Sequence, residues 1–366
     1  MVITLEKKIF TEAVHTAARF AERKSATLPA LSGIAIVAGS DGIKLRATNL
    51  ETGVDLKLDG SIKNEGVAVL PANILRDIAS SLSGVGSVTL EHAGDTVVIN
   101  TGAGKSTMKT LPSEDFPVIP IPRNPESTLK LSGAVLKELI GSVVSCASSS
   151  TVRPELASIL FFGEGGTLTA AASDSFRLSE KKIPVEKTAK PFRILIPARN
   201  AADVIQTLPD DEVAVSLDEH QCAFSWSGGI VTTRLVAAQY PDYTQIIPKS
   251  FASEATVLRK DFEASLRRVA VFSDTFQKVR LGFDPKAKRI SFESRNTDIG
   301  ESTEQVNASV SGEGIELSFN HRYLAAPLTF IAADNLTLSA GGIGRPLIIR
   351  GAGDPSYLYL VMPMNQ

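Results

Sequence analysis

LRATNLETGVDL (residues 45–56), TAAASDSFRLSE (169–180) and FESRNTDIGEST (292–303) are three versions of one phrase. Each follows a run of alternating apolar and polar residues, the signature of a half-buried strand. Successive copies lie roughly a third of the chain apart, and self-similarity at a fixed period is the mark of a repeated architecture. A second phrase recurs with the same period: VLPANILRDIASSL (69–82), LIPARNAADVIQTL (195–208) and LSFNHRYLAAPLTFI (317–331). Each is a strand running into a helix, with Pro or Asn where a helix start favours it. TLPSEDFP (110–117), LVAAQYPDY (235–243) and YLVMPMNQ (359–366) close the units.

Three units of about 120 residues, a common domain size, therefore tile the chain as 1–122, 128–249 and 254–366. Each unit also halves. TEAVHTAARFAER (11–23), SGAVLKELIGSVVSCA (132–147) and RKDFEASLRRVAVF (259–272) carry apolar residues at three- and four-residue steps and predict a helix in each first half. Six helices and many short strands are expected. The links IPIPRNPEST (119–128) and IIPKSFASEAT (246–256) read as extended connectors.

The chain has 366 residues, 43% of them hydrophobic, enough for substantial cores. It shows no apolar run long enough to span a membrane and no signal-peptide pattern at its start, so a cytoplasmic protein without membrane partners is expected. Cys146, in a helical context, and Cys222, in a strand, suit a reducing compartment and read as buried thiols. A net charge of −2 argues against holding nucleic acid by bulk basic charge; any basic surface must be local.

Catalytic signatures are missing. GAGKST (102–107) resembles the end of a phosphate-binding loop, but Ile99 stands where the first glycine of G-x-x-x-x-G-K-[ST] belongs. DTVVINT before it alternates like a strand, and MKTLPSEDFP after it is no helix, so the stretch predicts a hairpin. His15, His92, His220 and His321 offer no ligand set; His220 and Cys222 share a strand face without a second pair at metal-site spacing. Asp210, Asp211 and Glu212 read as a solvated turn. No enzyme, metal or cofactor is expected.

The helices instead carry cations: Arg19, Arg23, Lys24, Arg76, Lys137, Arg199, Arg267, Arg268 and Arg322 lie on or beside them. Ordinary solvated faces with local pairs to Glu22, Asp77, Glu138 and Asp203 are one reading. The repeat supports another, in which equivalent helices gather their charges on one surface.

TLPAL (27–31), SDSFRL (173–178), QYPDY (239–243), VRLGF (279–283) and the closing VMPM (361–364), in this order over the whole chain, resemble the bacterial sliding clamp family, the beta subunit of DNA polymerase III. The resemblance implies an α+β fold of three tandem DNA-clamp repeats. Each repeat has two helices and two antiparallel sheets, and the chain forms half of a head-to-tail ring. It implies a homodimer threaded by double-stranded DNA without sequence preference, tethering the replicative polymerase for processivity. Partners so implied are the polymerase III catalytic subunit, a clamp loader and other clamp-binding peptides. The peptide pocket falls by position on Leu156, Ser173, Ser175, Arg177, Leu178, Pro241, Ile246, Asn320, Tyr323, Pro346, Leu360, Met362, Pro363 and Met364. DNA contacts fall on Arg23, Lys24, Arg153 and Arg199, with Lys24 standing in for a family arginine that aligns with Ser25. Dimer contacts fall on Lys105 and Met108, facing Val271, Phe272, Glu301 and Glu304. Two positions depart from the family: Ser175-Phe176 replaces a frequent Gly-His or Gly-Tyr pair, and the chain ends in Asn365-Gln366. A repeat-built interaction scaffold without a nucleic-acid role is the alternative the same fold permits.

Overall fold

The recurring phrase is a hairpin turn built by one set of hydrogen bonds. The computed structural model describes residues 1–23, 27–84, 86–122, 127–185 and 190–364. In the first copy the Thr48 hydroxyl donates to the Thr52 carbonyl at 2.7 Å and accepts from the Leu50 amide at 3.0 Å. Asn49 Oδ1 accepts from the amides of Glu51 and Thr52. In the second copy Ser173 donates to the Arg177 carbonyl and accepts from Ser175, while Asp174 Oδ1 accepts from Phe176 and Arg177. Asn296 Oδ1 accepts from Asp298 in the third. A short side chain that satisfies the turn's amides is why Asn or Asp recurs here.

The geometry forces Leu50 and Ser175 into positive φ, +71° and +76°. For a residue with a Cβ this costs about 1–2 kcal/mol, against about 0.5–1 kcal/mol for the greater freedom glycine loses on folding. Leu50 is half exposed, so Leu50→Gly sheds little packing and is expected to stabilise the protein by about 0.5–1 kcal/mol, read as a higher urea midpoint with unchanged slope.

The first third holds β1 (Val2–Glu6), α1 (Lys7–Ala17), β2 (Gly33–Gly39), β3 (Gly42–Thr48), β4 (Thr52–Leu58), β5 (Gly60–Asn64), β6 (Gly66–Pro71), α2 (Ala72–Ser81), β7 (Ser87–Ala93), β8 (Thr96–Asn100) and β9 (Lys105–Lys109). The middle third holds β10 (Ser127–Ser132), α3 (Gly133–Val144), β11 (Ser158–Glu164), β12 (Thr167–Ser173), β13 (Arg177–Pro184), β14 (Phe192–Pro197), α4 (Ala198–Ile205), β15 (Glu212–Leu217), β16 (Gln221–Trp226) and β17 (Gly229–Arg234). The last third holds β18 (Ser253–Leu258), α5 (Arg259–Ala270), β19 (Lys278–Asp284), β20 (Arg289–Asn296), β21 (Gly300–Gly312), β22 (Ile315–Asn320), α6 (His321–Ala325), β23 (Asn335–Ala340), β24 (Leu347–Gly351) and β25 (Tyr357–Val361).

All strand pairs are antiparallel, and the six expected helices are present among the described residues. Their bounds differ from the sequence reading. α1 begins a turn early because Phe10, Ala13, Val14 and Ala17 form its buried stripe, and Phe20 enters the core from the turn beyond its end. Cys146 lies in the turn after α3 rather than within it, while Cys222 lies in β16 as expected. α6 lasts five residues and tightens into a 3-10 turn, Ala326–Thr329, where Pro327 cannot continue the helical bonding.

The strands join into three sheets rather than six, of five, eight and twelve strands. Pairing of β4 with β17 fuses a sheet of the first third to one of the middle third. Pairing of β13 with β25 fuses the other middle sheet to the last third. The middle third is therefore divided between two compact units, residues 1–137 with 199–235, and residues 138–198 with 236–366. Each unit has its own core; Phe10, Phe20 and Ile34 are fully buried in one, Phe161, Phe262, Phe292 and Tyr359 in the other.

Candidate functional site

In the second unit, apolar residues from the joined sheet collect into one cluster. Leu156, Leu160, Ala171, Leu178 and Leu195 come from the middle third, Ile348, Leu358 and Leu360 from the last, with Tyr240 and Tyr243 from the connector between them. Met362, Phe162, Ile247 and Phe251 pack against it while only partly buried. The tail extends beyond β25 as backbone: the Met362 amide donates to the Phe176 carbonyl at 2.8 Å and the Met364 amide to the Ser318 carbonyl at 2.7 Å. Two thioethers and Pro363 are thereby held half-buried beside the leucines. Such side chains repack readily around different apolar partners.

Arg177 closes one side. Its Nε donates to Asp174 Oδ2 at 2.9 Å, its Nη2 to the Ser145 carbonyl at 2.6 Å, and its guanidinium lies 4.5 Å from the Tyr323 ring centroid. On the connector, the Tyr243 hydroxyl donates to Glu180 Oε2 at 2.5 Å, and Glu180 also pairs with Lys182 at 2.8 Å. Burial against a neighbouring carboxylate pushes the Tyr243 phenol up, so it remains a donor at neutral pH.

The structure brings Leu156, Leu178, Leu360 and Met362 together, with Arg177 against Tyr323. Ser173 and Ser175 serve the hairpin turn, Ser175 from an exposed position. Asn320 caps α6, its side chain accepting from the Arg322 amide at 2.9 Å. Pro241 and Ile246 are exposed on the connector, and Pro346 is buried, its carbonyl accepting from the Gly341 amide. Sequence reasoning missed Asp174, Tyr240, Tyr243 and Glu180. Asp174 was signalled by the repeat, since it matches Asn49; the other three reveal themselves only through packing. Exposed Phe276 was missed as well, while Phe176, singled out in the sequence as a departure from the family pair, is 63% exposed.

Burial raises the Cys146 thiol, next to Arg177, to about 12, and the fully buried Cys222 further. Both thiols are expected to resist a disulfide reagent at pH 8 and to react at once in denaturant, giving zero and two titratable thiols per chain.

In the first unit, α1, α2 and α4 converge on an open charged recess lined by His15, Arg19, Arg23, Arg76 and Arg199, with Asp203 on its wall. Burial raises the Asp203 carboxyl against the opposing pull of Arg199 and Arg19. Arg23 and Arg199 thus share one surface with Arg19 and Arg76. Lys24, like Asn365 and Gln366, lies outside the described residues. Arg153 belongs to the other unit and is tied to Glu155 at 2.9 Å.

The phosphate-loop lookalike is a hairpin, as its flanks predict. Asn100 opposes Lys105 across β8 and β9, and Gly102 turns the chain at φ +82°. Lys105 is exposed on β9, the outer strand of its sheet. Met108, expected to face a second copy, is instead 6% exposed, because strand alternation turns it into its own unit's core. Val271 is 67% exposed at the end of α5, with Phe272 half-buried beside it. Glu304, expected to meet a partner's charge, is already held at 2.6 Å by Arg268, whose hydrogen bond keeps its carboxyl below the usual range. Glu301 sits 3.9 Å from Arg295.

Among the described residues no group of three or more His, Cys, Asp or Glu side chains could hold a metal ion, and no helix is long and apolar enough to cross a membrane. Tandem α+β repeats joined through their sheet edges, with a buried apolar cluster at one junction, define a clamp-type protein. Models of the N-terminal, central and C-terminal domains of the DNA polymerase III beta subunit match residues 1–120, 130–242 and 244–365. The chain belongs to the DNA polymerase III beta subunit family and has its sliding-clamp function in processive replication. It is 29% identical to the beta sliding clamp of Synechococcus elongatus over 346 residues, 92% of each protein. Solved structures that resemble it include the DNA polymerase III beta chain of Streptococcus pneumoniae, at a TM-score of 0.91 and 25% identity. Another is the sliding clamp of Pseudomonas aeruginosa bound to griselimycin, at 0.93 and 22%. Both alignments cover all of each chain.

Proposed function

We propose that two copies of this chain close head to tail into a ring threaded by duplex DNA, and that the cleft beside Leu178 and Leu360 docks short peptide segments of replication proteins. One observation carries the ring. Within the chain, the second strand of each repeat hairpin pairs with the last strand of the next repeat, β4 with β17 and β13 with β25. By the same rule residues 300–307 of β21, paired among the described residues only with β20, await the last strand of a following repeat. β9, the last strand of the first repeat, has one free edge. Exposed edges invite pairing, and joining β21 of one copy to β9 of another repeats the internal junction. Main-chain pairing supplies the contact while Met108 stays in its own core; Val271 and Phe272 add apolar area beside it.

The domains then run 1–122, 128–249 and 254–366, and the arginine-lined recess faces the phosphates. With a net charge of −2 and acidic neighbours, the cations contribute weak, salt-screened contacts, which leave a threaded ring free to slide. The catalytic subunit of polymerase III and a clamp loader are the partners the family reading supplies. Griselimycin, bound by the Pseudomonas aeruginosa relative, is a ready probe of the cleft. The protein acts in the cytoplasm without catalysis or cofactor.

The test compares retention on closed circular DNA with retention after one linearising cut, using chain loaded onto the circle. Threading requires loss from the cut molecule within the time that the closed circle holds it. Equal retention on both forms overturns the ring, and no retention on either supports the scaffold reading.

A further inference from the structure

The hairpin repeat allows the two sheet junctions to be compared residue by residue. Val37 stands between Lys44 and Val67 as Phe162 stands between Thr169 and Arg193. Asp55 lies between Arg46 and Ile230 as Glu180 lies between Ala171 and Leu358. In the second repeat the chain covers this surface itself. The Arg193 guanidinium lies 4.4 Å from the Phe162 ring centroid, and the Tyr243 hydroxyl donates to Glu180.

The first repeat lacks both devices. Val67, in Arg193's place, is 41% exposed and leaves the strand face bare. Asp55 is bound on one side only: Oδ2 accepts from Arg46 Nε at 2.8 Å, while Oδ1 is buried and has no hydrogen-bond partner among the described residues. A buried carboxylate oxygen without a donor is costly, and its counterpart in the second repeat is satisfied. These groups line one recess with Phe116 and Val118, the latter 90% exposed. Glu114 and Asp115 stand exposed in the segment that borders it.

We propose that this recess is a second protein-docking site, taking an extended partner segment in which an aromatic or branched apolar side chain adjoins a lysine or arginine. The apolar side chain covers Val37 and Val67, as Arg193 covers Phe162. The cation and the segment's amides supply the donor that Asp55 Oδ1 lacks, and the acidic border at Glu114 and Asp115 favours a basic segment. The site is distinct from the Leu178–Leu360 cleft and does not depend on ring closure.

The probe is a fluorescein-labelled peptide, Gly-Lys-Phe-Leu-Lys-Gly, titrated with the full chain by anisotropy. Its control carries glutamate in place of both lysines. Saturable binding is expected, at least tenfold tighter than for the control and unchanged when Met362 onward is deleted. Val67→Arg, which restores a guanidinium cover from the chain itself, weakens it at least tenfold. So does Val118→Lys, a change at a position too exposed to disturb folding. Absence of binding, equal binding of the acidic control, loss on deleting the tail, or indifference to Val118→Lys each overturns the proposal.

Discussion

In the proposed ring, Val271→Lys combined with Phe272→Ala is expected to give monomers at micromolar concentration by light scattering and to abolish retention on circular DNA. Val271 is 67% exposed at the end of the amphipathic helix α5, and Phe272 adjoins Gly300, where the free edge of β21 begins. Burying each side chain against a second copy contributes about 1.5–3 kcal/mol, and the variant places an unpaired ammonium there besides. A loss of about 4 kcal/mol per junction weakens it about a thousandfold, and a ring has two junctions. The Val271 change itself costs the monomer little, since that side chain is 67% exposed and lysine suits a helix C-terminus. A variant that remains dimeric, with an unchanged melting temperature, would remove the head-to-tail closure.

Deleting Met362 onward is the second large effect. On the proposed docking role, binding of griselimycin is expected to fall about a hundredfold while the proposed dimer and its DNA retention persist. Met362 packs on the leucine cluster, and the Met364 amide holds the tail against Ser318. Losing two apolar anchors of about 1.5 kcal/mol each corresponds to that factor. Val361 remains to complete β25, so stability changes little. Undiminished binding would place the cleft elsewhere.

Part of the apolar cluster was legible in the chain because motif and position carried it: Leu156, Leu178, Leu360 and Met362 do meet. Its supports were not. Tyr240, Tyr243 and Glu180 sit on a connector and a strand remote in sequence, and only their convergence reveals Glu180 as an acceptor for a phenol. The charged recess shows the same split. Arg23 and Arg199 were readable as helix cations, whereas their grouping with Arg19, Arg76 and His15 depends on how α1, α2 and α4 cross.

By itself the sequence determined the threefold period, the six helices and the hairpin at Gly102. Each is written in short stretches, through recurrence, alternation or helical spacing. Only tertiary structure decided that the middle third is split between two units, that Met108 points inward and that Glu304 is already held by Arg268. Those outcomes turn on which sheet edge finds which partner and on which side of the pleat a residue falls. Such long-range pairings are fixed by the burial of whole sheets and leave no mark in the local pattern.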